Sequence, residues 1–291
     1  TLPAVADVAT STVVTVAADS GEALFRWRDA WAPTGCGLLL ADNGSSDGFP
    51  GKCGVPLVST GGNVGFGGGV NAAAARCETP LILVTNPDTA PASDESLRIL
   101  VERHRRGSLS GGGLLDSRGC PVPSGGRWPT VPWVAGQVFF RASSLCRGGR
   151  RDWIQGSLIL AETEVFLEKL GGFHRDFPLY FEDVDLCARA LSKGIATTFV
   201  PDARFFHREG TGAPAAGAVR ISCFHWGMWR WFVRHRPRAA SLVRWLIIWK
   251  CLVRIAVAGE RSAVRAGYET ALDSLRRRVP PELPPAGSLG G

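Results

Sequence analysis

Four short apolar segments near the start of the chain each run into a polar turn, and this repeat constrains the fold more than any other feature. The segments are 11–16, 37–41, 55–59 and 81–84, with helical or glycine-rich stretches between them. Strand, turn, helix and strand in succession predict an α/β domain whose central sheet is mostly parallel and flanked by helices. Ligands of such sheets bind beyond the carboxyl ends of the strands. The side chains expected there are Asp19, Asp42, Asn63 and Asp88.

The rest of the chain changes in residue composition from one segment to the next. The segment 107–150 is rich in Gly, Pro, Ser and Arg, which predicts loops and a hairpin, and a glycine-rich stretch at 61–71 predicts a loop whose N–H groups come close to a nucleotide. Further elements are expected as helices near 93–106 and 164–170 and strands at 153–160 and 196–200. The predicted domains are a catalytic unit at 1–215 (halves 1–106 and 107–215), a basic, Trp-rich helical extension at 216–278 and a disordered tail at 279–291.

Charge and cysteine usage narrow the classes of protein. The chain has 291 residues, a net charge of +7 and eight cysteines with no CxxC pair. Scattered cysteines argue against a zinc cluster or a disulfide framework and favour reduced thiols in the cytoplasm. The positive charge favours anionic partners such as phosphates or an acidic membrane surface. No apolar run approaches the roughly 20 residues that a membrane-spanning helix needs.

The segment 180–186 carries three carboxylates, Glu182, Asp183 and Asp185, directly before a helical pattern. Helix capping alone accounts for some of this charge. A second acidic turn at 86–88 and the histidine at 207 suggest instead that three segments meet at one metal-dependent centre. Carboxylate ligands favour Mg²⁺ or Mn²⁺, and a histidine ligand favours Mn²⁺ or a tolerant Mg²⁺ site.

Each of these residues also has a simpler interpretation. Asp88 alone would be a turn residue after Pro87, and His207 alone would be a hydrogen-bonded core or surface histidine. Asp42 alone would cap a turn with Ser45 or Ser46. The convergence of several such residues at the strand ends argues for a site more strongly than any one of them does.

Several motifs together resemble a known family. They are the segments 42–47, 62–67 with Asn71, 85–88 and 181–186, joined by 153–157 and 171–173 in the same order. Over about residues 11–210 they are similar to the GT-A-fold family 2 glycosyltransferases, in particular to the rhamnosyltransferase-like branch. The resemblance implies a GT-A fold, in which a Rossmann-like sheet carries a C-terminal helical extension.

The resemblance also implies an activity: inverting transfer of a sugar from a nucleotide-diphosphate donor to an acceptor hydroxyl. The branch is usually associated with dTDP-rhamnose, and UDP-sugars come next. The acceptor would be a saccharide, a lipid-linked saccharide or a small molecule, in cell-wall or glycoconjugate biosynthesis. By similarity, Asp183 is the general base and Glu182 supports it, while Asp88 and His207 bind Mg²⁺ or Mn²⁺. The substrate-binding residues implied are Asp19, Asp42, Asn63, Gly65, Asn71, Asn86, Gly156 and Asp185.

Two departures from the family pattern bear on these roles. The metal motif is Asn86-Pro87-Asp88, with one carboxylate instead of two, so metal binding is expected to depend on His207. After the first strand the chain has Ala17-Ala18-Asp19 where relatives commonly have an aromatic residue and an asparagine. Contacts to the base are expected to differ there.

The region 217–257 mixes tryptophans with arginines and lysine, and two interpretations are open. Amphipathic helices of this composition bind membrane interfaces, or they pack on the catalytic unit with Trp inside and Arg outside. We expect a cytoplasmic protein, with peripheral contact at the inner face of the membrane under the first interpretation, and a homodimer as a further option.

Competing functions fit the sequence less well. A nucleotidyltransferase would usually carry a basic glycine-rich loop after the first strand, where this chain has Ser20-Gly21-Glu22. A nucleic-acid-binding module leaves the acidic strand ends unexplained, so no nucleic-acid partner is expected. A nucleotide-sugar-binding protein without transfer activity remains an alternative to the enzyme.

Overall fold

The computed structural model describes residues 8–139, 151–208, 216–259 and 262–285. The strands are β1 (Ser11–Ala17), β2 (Gly37–Asp42), β3 (Leu57–Ser59), β4 (Leu81–Thr85), β5 (Thr89–Pro91), β6 (Ser108–Leu115), β7 (Pro121–Val122), β8 (Gly125–Gly126), β9 (Trp153–Ile154), β10 (Leu158–Glu162) and β11 (Ala196–His207). The helices are α1 (Ala23–Trp31), α2 (Phe49–Lys52), α3 (Gly65–Ala74), α4 (Glu95–Arg103), α5 (Val131–Phe139), α6 (Glu182–Ser192), α7 (Ala216–His235), α8 (Pro237–Val257) and α9 (Ala263–Arg277). A π-helical turn at Val165–Lys169 replaces the helix expected at 164–170.

One sheet organises the catalytic unit. Within the described residues its strands follow the order β3-β2-β1-β4-β10-β6-β11-β5, with β7 paired to β6. β1 to β4 are parallel, as are β6 and β11, and β10 runs antiparallel between these two groups. The predicted α/β class is confirmed. A separate two-stranded sheet joins β8 to β9.

The glycine-rich segment forms most of α3, so the prediction of a loop there is wrong. Its glycines allow a helix to pack unusually close to its neighbours. A Cβ on Gly69 would lie 2.6 Å from a methyl group of Val16 on β1, and one on Gly67 would lie 2.7 Å from the Cβ of Phe173. The composition therefore reflects packing between a helix and the sheet, where larger side chains would not fit.

β6 lies inside the segment for which loops and a hairpin were expected; it forms a hairpin with β7 there and also occupies the middle of the sheet. Its glycines face side chains and backbone that approach closely. A Cβ on Gly111 would lie 3.0 Å from the Cβ of Ile154, and one on Gly112 would lie 2.8 Å from the ring of Phe205. Of the same segment, residues 140–150 lie outside the described part of the chain.

The C-terminal helices pack against α5 and the start of α6 in a second hydrophobic cluster. Trp226, Trp229 and Trp231 of α7 are buried there, as the packing interpretation predicts for that helix. None of the helices within the described residues is long and apolar enough to cross a membrane. The predicted boundary at 215 falls in 209–215, outside the described residues.

The predicted disordered tail is described as far as residue 285. Residues 279–285 have no regular secondary structure, but Pro281 is buried and the carbonyl oxygen of Pro284 accepts a 2.8 Å hydrogen bond from Nδ2 of Asn63. This part of the tail therefore lies on the domain, next to a loop that was predicted to bind the nucleotide. Residues 286–291 lie outside the described part of the chain.

Candidate active site

The loops after β1 and β2 are joined by carboxylate–amide hydrogen bonds. Oδ1 of Asp19 accepts from the backbone N–H groups of Ser46 and Asp47 at 2.7 and 3.1 Å, and Oδ2 of Asp47 accepts from Gly21 N–H at 2.9 Å. Asp19 has a φ of 50°, so its backbone is in the left-handed region. Oδ1 of Asp42 accepts from Ser45 N–H at 2.8 Å, which is the turn cap considered as its simpler role. These aspartates shape the strand ends.

Two of the predicted nucleotide contacts hold the chain together instead. Asn71 bonds to both backbone groups of Phe173, each at 2.8 Å, and so ties α3 to the turn at 171–173. Gly65 has a φ of 81°, and a Cβ there would collide with the carbonyl oxygen of Pro178. Both positions are therefore explained by packing, which disagrees with the predicted contacts to the donor.

Asn63 is also engaged within the protein. Its Oδ1 accepts from Nδ2 of Asn43 at 2.9 Å and from Gly65 N–H at 3.2 Å, while Nδ2 donates to Pro284. The side chain thus orders the start of α3 and contacts the tail. A role for Asn63 in nucleotide binding stays a prediction.

Asp88 and His207 lie together at the sheet edge, although 119 positions separate them in the chain. The reason is the antiparallel pairing of β11 with β5, which places His207 opposite Thr89. Nε2 of His207 is 3.5 Å from Oδ1 of Asp88 and 3.3 Å from Nδ2 of Asn86. Both side chains are largely buried, with 7% and 14% exposed for His207 and Asp88. The structure therefore brings the predicted metal-binding residues together.

The pair suits a divalent cation. A carboxylate oxygen and an imidazole nitrogen are ligands that Mn²⁺ accepts, and Mg²⁺ prefers the carboxylate. Within the described residues no three His, Cys, Asp or Glu side chains form a metal cluster. A cation at this pair would have to complete its coordination with diphosphate oxygens and water, as expected of a site that binds metal and nucleotide together.

A cleft opens beside this pair. Asp19, Ser20, Asn86 and Asp88 line a cavity of about 190 Å³. A cavity of about 440 Å³ on the other side of Pro87 and Asp88 includes Arg26 and Arg208. The predicted residues Asp19, Asn86 and Asp88 are therefore neighbours in one cleft, and sequence reasoning missed the two arginines, which lie far apart in the chain.

The start of α6 presents the candidate base. Tyr180 and Phe181 have φ values of 66° and 69°, a left-handed backbone that non-glycine residues rarely adopt. Asp183 follows this turn and is 8% exposed. Its Oδ2 accepts from Gly156 N–H at 2.9 Å and its Oδ1 from Val184 N–H at 2.8 Å. Gly156 thus contacts the base directly, and its predicted contact with substrate stays a prediction.

Burial changes the acidity of Glu182 and Asp183. It raises the pKa of Asp183 to about 6, although hydrogen bonds from the N–H groups of Gly156 and Val184 act in the opposite direction. Burial, and then the neighbouring Asp183, raise the pKa of Glu182 well above its usual range. Oε2 of Glu182 is buried without a hydrogen-bond partner in the described structure. Burial therefore disfavours the charged form of both groups, while the two backbone N–H hydrogen bonds favour the ionised form of Asp183, which is the form a base needs.

Asp183 faces an aromatic cavity of about 290 Å³. Besides Asp183 and Val184 the lining consists of aromatic and amide side chains and one proline: Pro123, Trp133, Gln137, Trp153, Gln155, Tyr180, Phe181 and Phe224. Faces of aromatic rings bind the apolar faces of sugars, and amides bind hydroxyl groups. Trp153 and Tyr180 belong to the recognised motifs, whereas Trp133 and Phe224 come from α5 and α7, whose positions near the site could not be predicted from the sequence.

The base and the metal-binding pair share one edge of the sheet. β10 starts just after Gly156 and runs antiparallel to β4, with Leu158 opposite Thr85. The hydroxyl of Thr89, next to Asp88, donates to the carbonyl oxygen of Ser157 at 3.4 Å. Ser157 follows Gly156, whose N–H binds Asp183, and Thr89 follows Asp88. The contact between Ser157 and Thr89 therefore links the two parts of the candidate site.

Asp185 has a different role from the one predicted. It is fully buried, and its oxygens accept from Nε of Arg189 at 2.7 Å, Nε of Arg234 at 2.9 Å and Nε2 of His235 at 2.8 Å. Burial acts to raise the pKa of Asp185, but the His235 hydrogen bond and the two arginines lower it to about 2. The prediction that Asp185 contacts substrate is wrong because its carboxylate joins α6 to α7 inside the protein.

The sheet thus carries a carboxylate–imidazole pair at its edge and a buried carboxylate that faces an aromatic cavity. No known family profile matches the chain. It is 28% identical over 246 residues to the N-acetylglucosaminyl-diphospho-decaprenol L-rhamnosyltransferase of Mycobacterium tuberculosis, covering 72% of this chain and 79% of the relative. The resemblance to the rhamnosyltransferase-like branch of family 2 is confirmed.

Solved structures support the fold. A mannosyltransferase from Pyrobaculum calidifontis, solved with GDP-Man and Mn²⁺, superposes with a TM-score of 0.54 at 13% identity, over 96% of this chain and 78% of that one. GalNAc-T7, solved with UDP, GalNAc and Mn²⁺, superposes with a TM-score of 0.58 at 14% identity, over 94% of this chain and 57% of that one. The chain has the GT-A fold.

Proposed function

We propose that the chain transfers a rhamnose-like deoxyhexose from a nucleotide-diphosphate donor, with dTDP-rhamnose favoured, to a hydroxyl of a lipid-linked saccharide. The observation that carries the proposal is the position of Asp183, a buried carboxylate with a pKa of about 6 that faces an aromatic cavity. The name of the mycobacterial relative supports the sugar and the class of acceptor. The predicted cytoplasmic location, the role in cell-wall or glycoconjugate biosynthesis and the homodimer belong to the same proposal.

Asp183 acts as the general base. An acceptor hydroxyl in the aromatic cavity gives its proton to the carboxylate of Asp183 as its oxygen attacks the anomeric carbon. The bond from that carbon to the diphosphate breaks at the same time, so the configuration inverts and no covalent nucleophile is needed. Burial and the neighbouring Asp183 disfavour a second negative charge on Glu182 next to the acceptor, because they raise the pKa of Glu182. Gly156 N–H, at 2.9 Å, fixes the orientation of the base.

Asp88 and His207 would hold Mn²⁺ or Mg²⁺. The ion, when bound, stabilises the negative charge that develops on the diphosphate leaving group. Arg26 and Arg208 line the adjoining cavity and add positive charge on the donor side. Within the described residues Asp88 and His207 are the side chains placed to hold the ion, and the donor would complete its coordination, so metal and donor are expected to bind cooperatively.

The variant Asp183→Asn tests the base. It should keep its affinity for the donor, measured by calorimetry, and lower kcat by at least about a hundredfold, because general-base catalysis contributes on that scale. Asp273→Asn, an exposed aspartate on α9, is the control and should be fully active. Near-normal turnover in Asp183→Asn would contradict the assigned base. Donor binding by the wild type without transfer to any saccharide acceptor would favour the binding-protein alternative.

The metal-binding pair is tested separately by donor affinity. EDTA should weaken donor binding by at least about tenfold, and Mn²⁺ or Mg²⁺ should restore it, because an ion held by Asp88 and His207 would supply positive charge to the diphosphate. His207→Ala should shift the Mn²⁺ concentration needed for half-maximal donor binding upward. Donor binding that is equal in chelator and in Mn²⁺ would remove the metal role of Asp88 and His207.

A further inference from the structure

α8 has two apolar faces, and within the described residues one of them is packed against the protein while the other is largely exposed. Val243, Ile247, Ile248 and Cys251 are at most 7% exposed and pack in the second hydrophobic cluster. The opposite face is exposed, and its large apolar residues are Leu242 (54%), Trp245 (66%), Trp249 (49%), Leu252 (44%), Val253 (40%) and Val257 (73%). A helix that is apolar on both sides needs a second apolar or interfacial environment.

The exposed residues form one stripe. At about 3.6 residues per turn, positions 242, 245, 249, 252, 253 and 257 fall on the same side of the helix. Ser241 and Ala256 share that side and are also exposed. Single exposed apolar residues are ordinary, whereas a stripe several turns long with two tryptophans marks an interaction surface. α7 differs, because its tryptophans are buried.

The charge near the stripe indicates which kind of partner the stripe binds. Residues 236–257, which are α8 and the residue before it, contain five arginines and lysines and no aspartate or glutamate. Arg236 and Arg238, at the start of α8, are exposed. An apolar stripe with indole rings and bordering cations matches a bilayer surface that carries anionic headgroups. A protein partner would more often present its own carboxylates, and a second copy of this chain would bring the same cations together at the interface.

We propose that this α8 stripe, residues 242–257, binds the surface of an anionic lipid bilayer. The helix would lie in the plane of the interface, with Trp245 and Trp249 at the depth of the headgroups and the arginines on lipid phosphates. α8 also packs on α5, which contributes Trp133 and Gln137 to the aromatic cavity. The stripe therefore belongs to the helical layer behind the acceptor cavity. That last link rests on the proposed lipid-linked acceptor, whereas the binding of the stripe to lipid does not.

Vesicle sedimentation with the full chain tests the proposal. The wild type should sediment with phosphatidylglycerol–phosphatidylcholine vesicles at low salt and much less with phosphatidylcholine alone. Trp245→Asp with Trp249→Asp should weaken binding by at least about tenfold, because it places charge in the apolar face of an interfacial helix. The control Leu191→Asp with Val264→Asp changes exposed apolar residues on α6 and α9 and should bind as the wild type does. Donor and acceptor are absent, so the result is independent of transfer activity.

Three results would overturn the proposal. One is a wild type that does not bind anionic vesicles, and another is a double variant that binds them equally well. The third is a wild-type dimer, seen by light scattering, that the double variant converts to a monomer without any vesicle binding, since the stripe would then join two copies. Circular dichroism shows whether the double variant is folded. If it is not, vesicles of brominated lipid are added to the wild type, and quenching of its tryptophan fluorescence would show that the indole rings enter the bilayer. No quenching would count against the proposal.

Discussion

Two aspartates in the first turn of α6 lie two residues apart and are both buried, yet their pKa values are shifted in opposite directions. Asp183 receives hydrogen bonds from two backbone N–H groups and from no cation in the described structure, and its pKa is raised to about 6. Asp185 receives hydrogen bonds from two arginines and a histidine, and its pKa is lowered to about 2. Burial is common to both, so the partners decide the difference.

The comparison separates a carboxylate suited to act as a base from one that joins two helices, within a single motif. A base must give up some electrostatic stabilisation in order to accept a proton near neutral pH. A carboxylate that joins two helices needs the strongest partners available. Sequence position alone cannot distinguish these cases, because the cations that bind Asp185 come mainly from α7, about 50 residues further along the chain.

The largest effect is expected from Asp185→Ala. Removing the carboxylate leaves Arg234 and His235 without their buried partner, and breaking such a pair costs about 3–5 kcal/mol of unfolding free energy. Urea unfolding at pH 7 measures it. Because the folded pKa is lowered to about 2, the contribution is complete above the ordinary pKa of about 4 and is lost as the pH falls toward 2.

Asp273→Ala is the matched control, since Asp273 also pairs with an arginine four residues away but is 61% exposed. Its loss should cost about 0.5 kcal/mol or less. Equal urea midpoints for the two variants would mean that the Asp185 cluster contributes no more than a surface ion pair.

The second effect concerns activity and pH. Protonation of Asp183 removes the base, so kcat/KM should fall about tenfold per pH unit below a pKa near 6. Initial rates between pH 4.5 and 8 with saturating metal measure this limb. An acid limb near pH 4, the value of an ordinary aspartate, would mean that the acceptor cavity does not desolvate Asp183 as proposed.

The smallest effect is a gain in stability. Above pH 6 the folded state holds Asp183 charged at a cost, because its folded pKa lies above the unfolded value of about 4. Asp183→Asn removes that charge but also one of the two accepted hydrogen bonds, so a net gain of about 1 kcal/mol is expected at pH 8. The gain should vanish near pH 4. If the variant were less stable than the wild type at pH 8, Asp183 would have a structural role, as Asp185 does.

The sequence predicted the strands whose interior positions carry branched side chains. β1, β2 and β4 were found because runs such as Thr12–Val16 have no other common structure. The first part of α3 was missed, and β6 was predicted only as part of a hairpin without bounds, for the same physical reason. Where the neighbours approach within contact distance of the backbone, glycine is the residue that fits, and a glycine-rich stretch carries no hydrophobic period from which to predict an element.

Residues of the predicted site lie together in the structure where a strand end alone places them. Asp88 and His207 meet because their strands are neighbours, and the turn before Asp183 is local. Asn71 and Asp185 were assigned to substrate because their partners, Phe173 and α7, could not be located from the sequence. A carboxylate or amide looks alike in a motif whether it faces a ligand or the protein, and only the packing of distant segments distinguishes the two.

The Asp185 cluster also has a consequence for how chains of this type diverge. Arg189, Arg234 and His235 hold one carboxylate at the junction of α6 and α7, so a substitution of any one of them changes the charge balance of the others. Among related sequences the four positions should therefore change as a set, with a neutral residue at 185 accompanied by loss of the arginine at 234. Asp183, bound only by backbone N–H groups, imposes no such correlation and should be inherited independently of the helices that follow it.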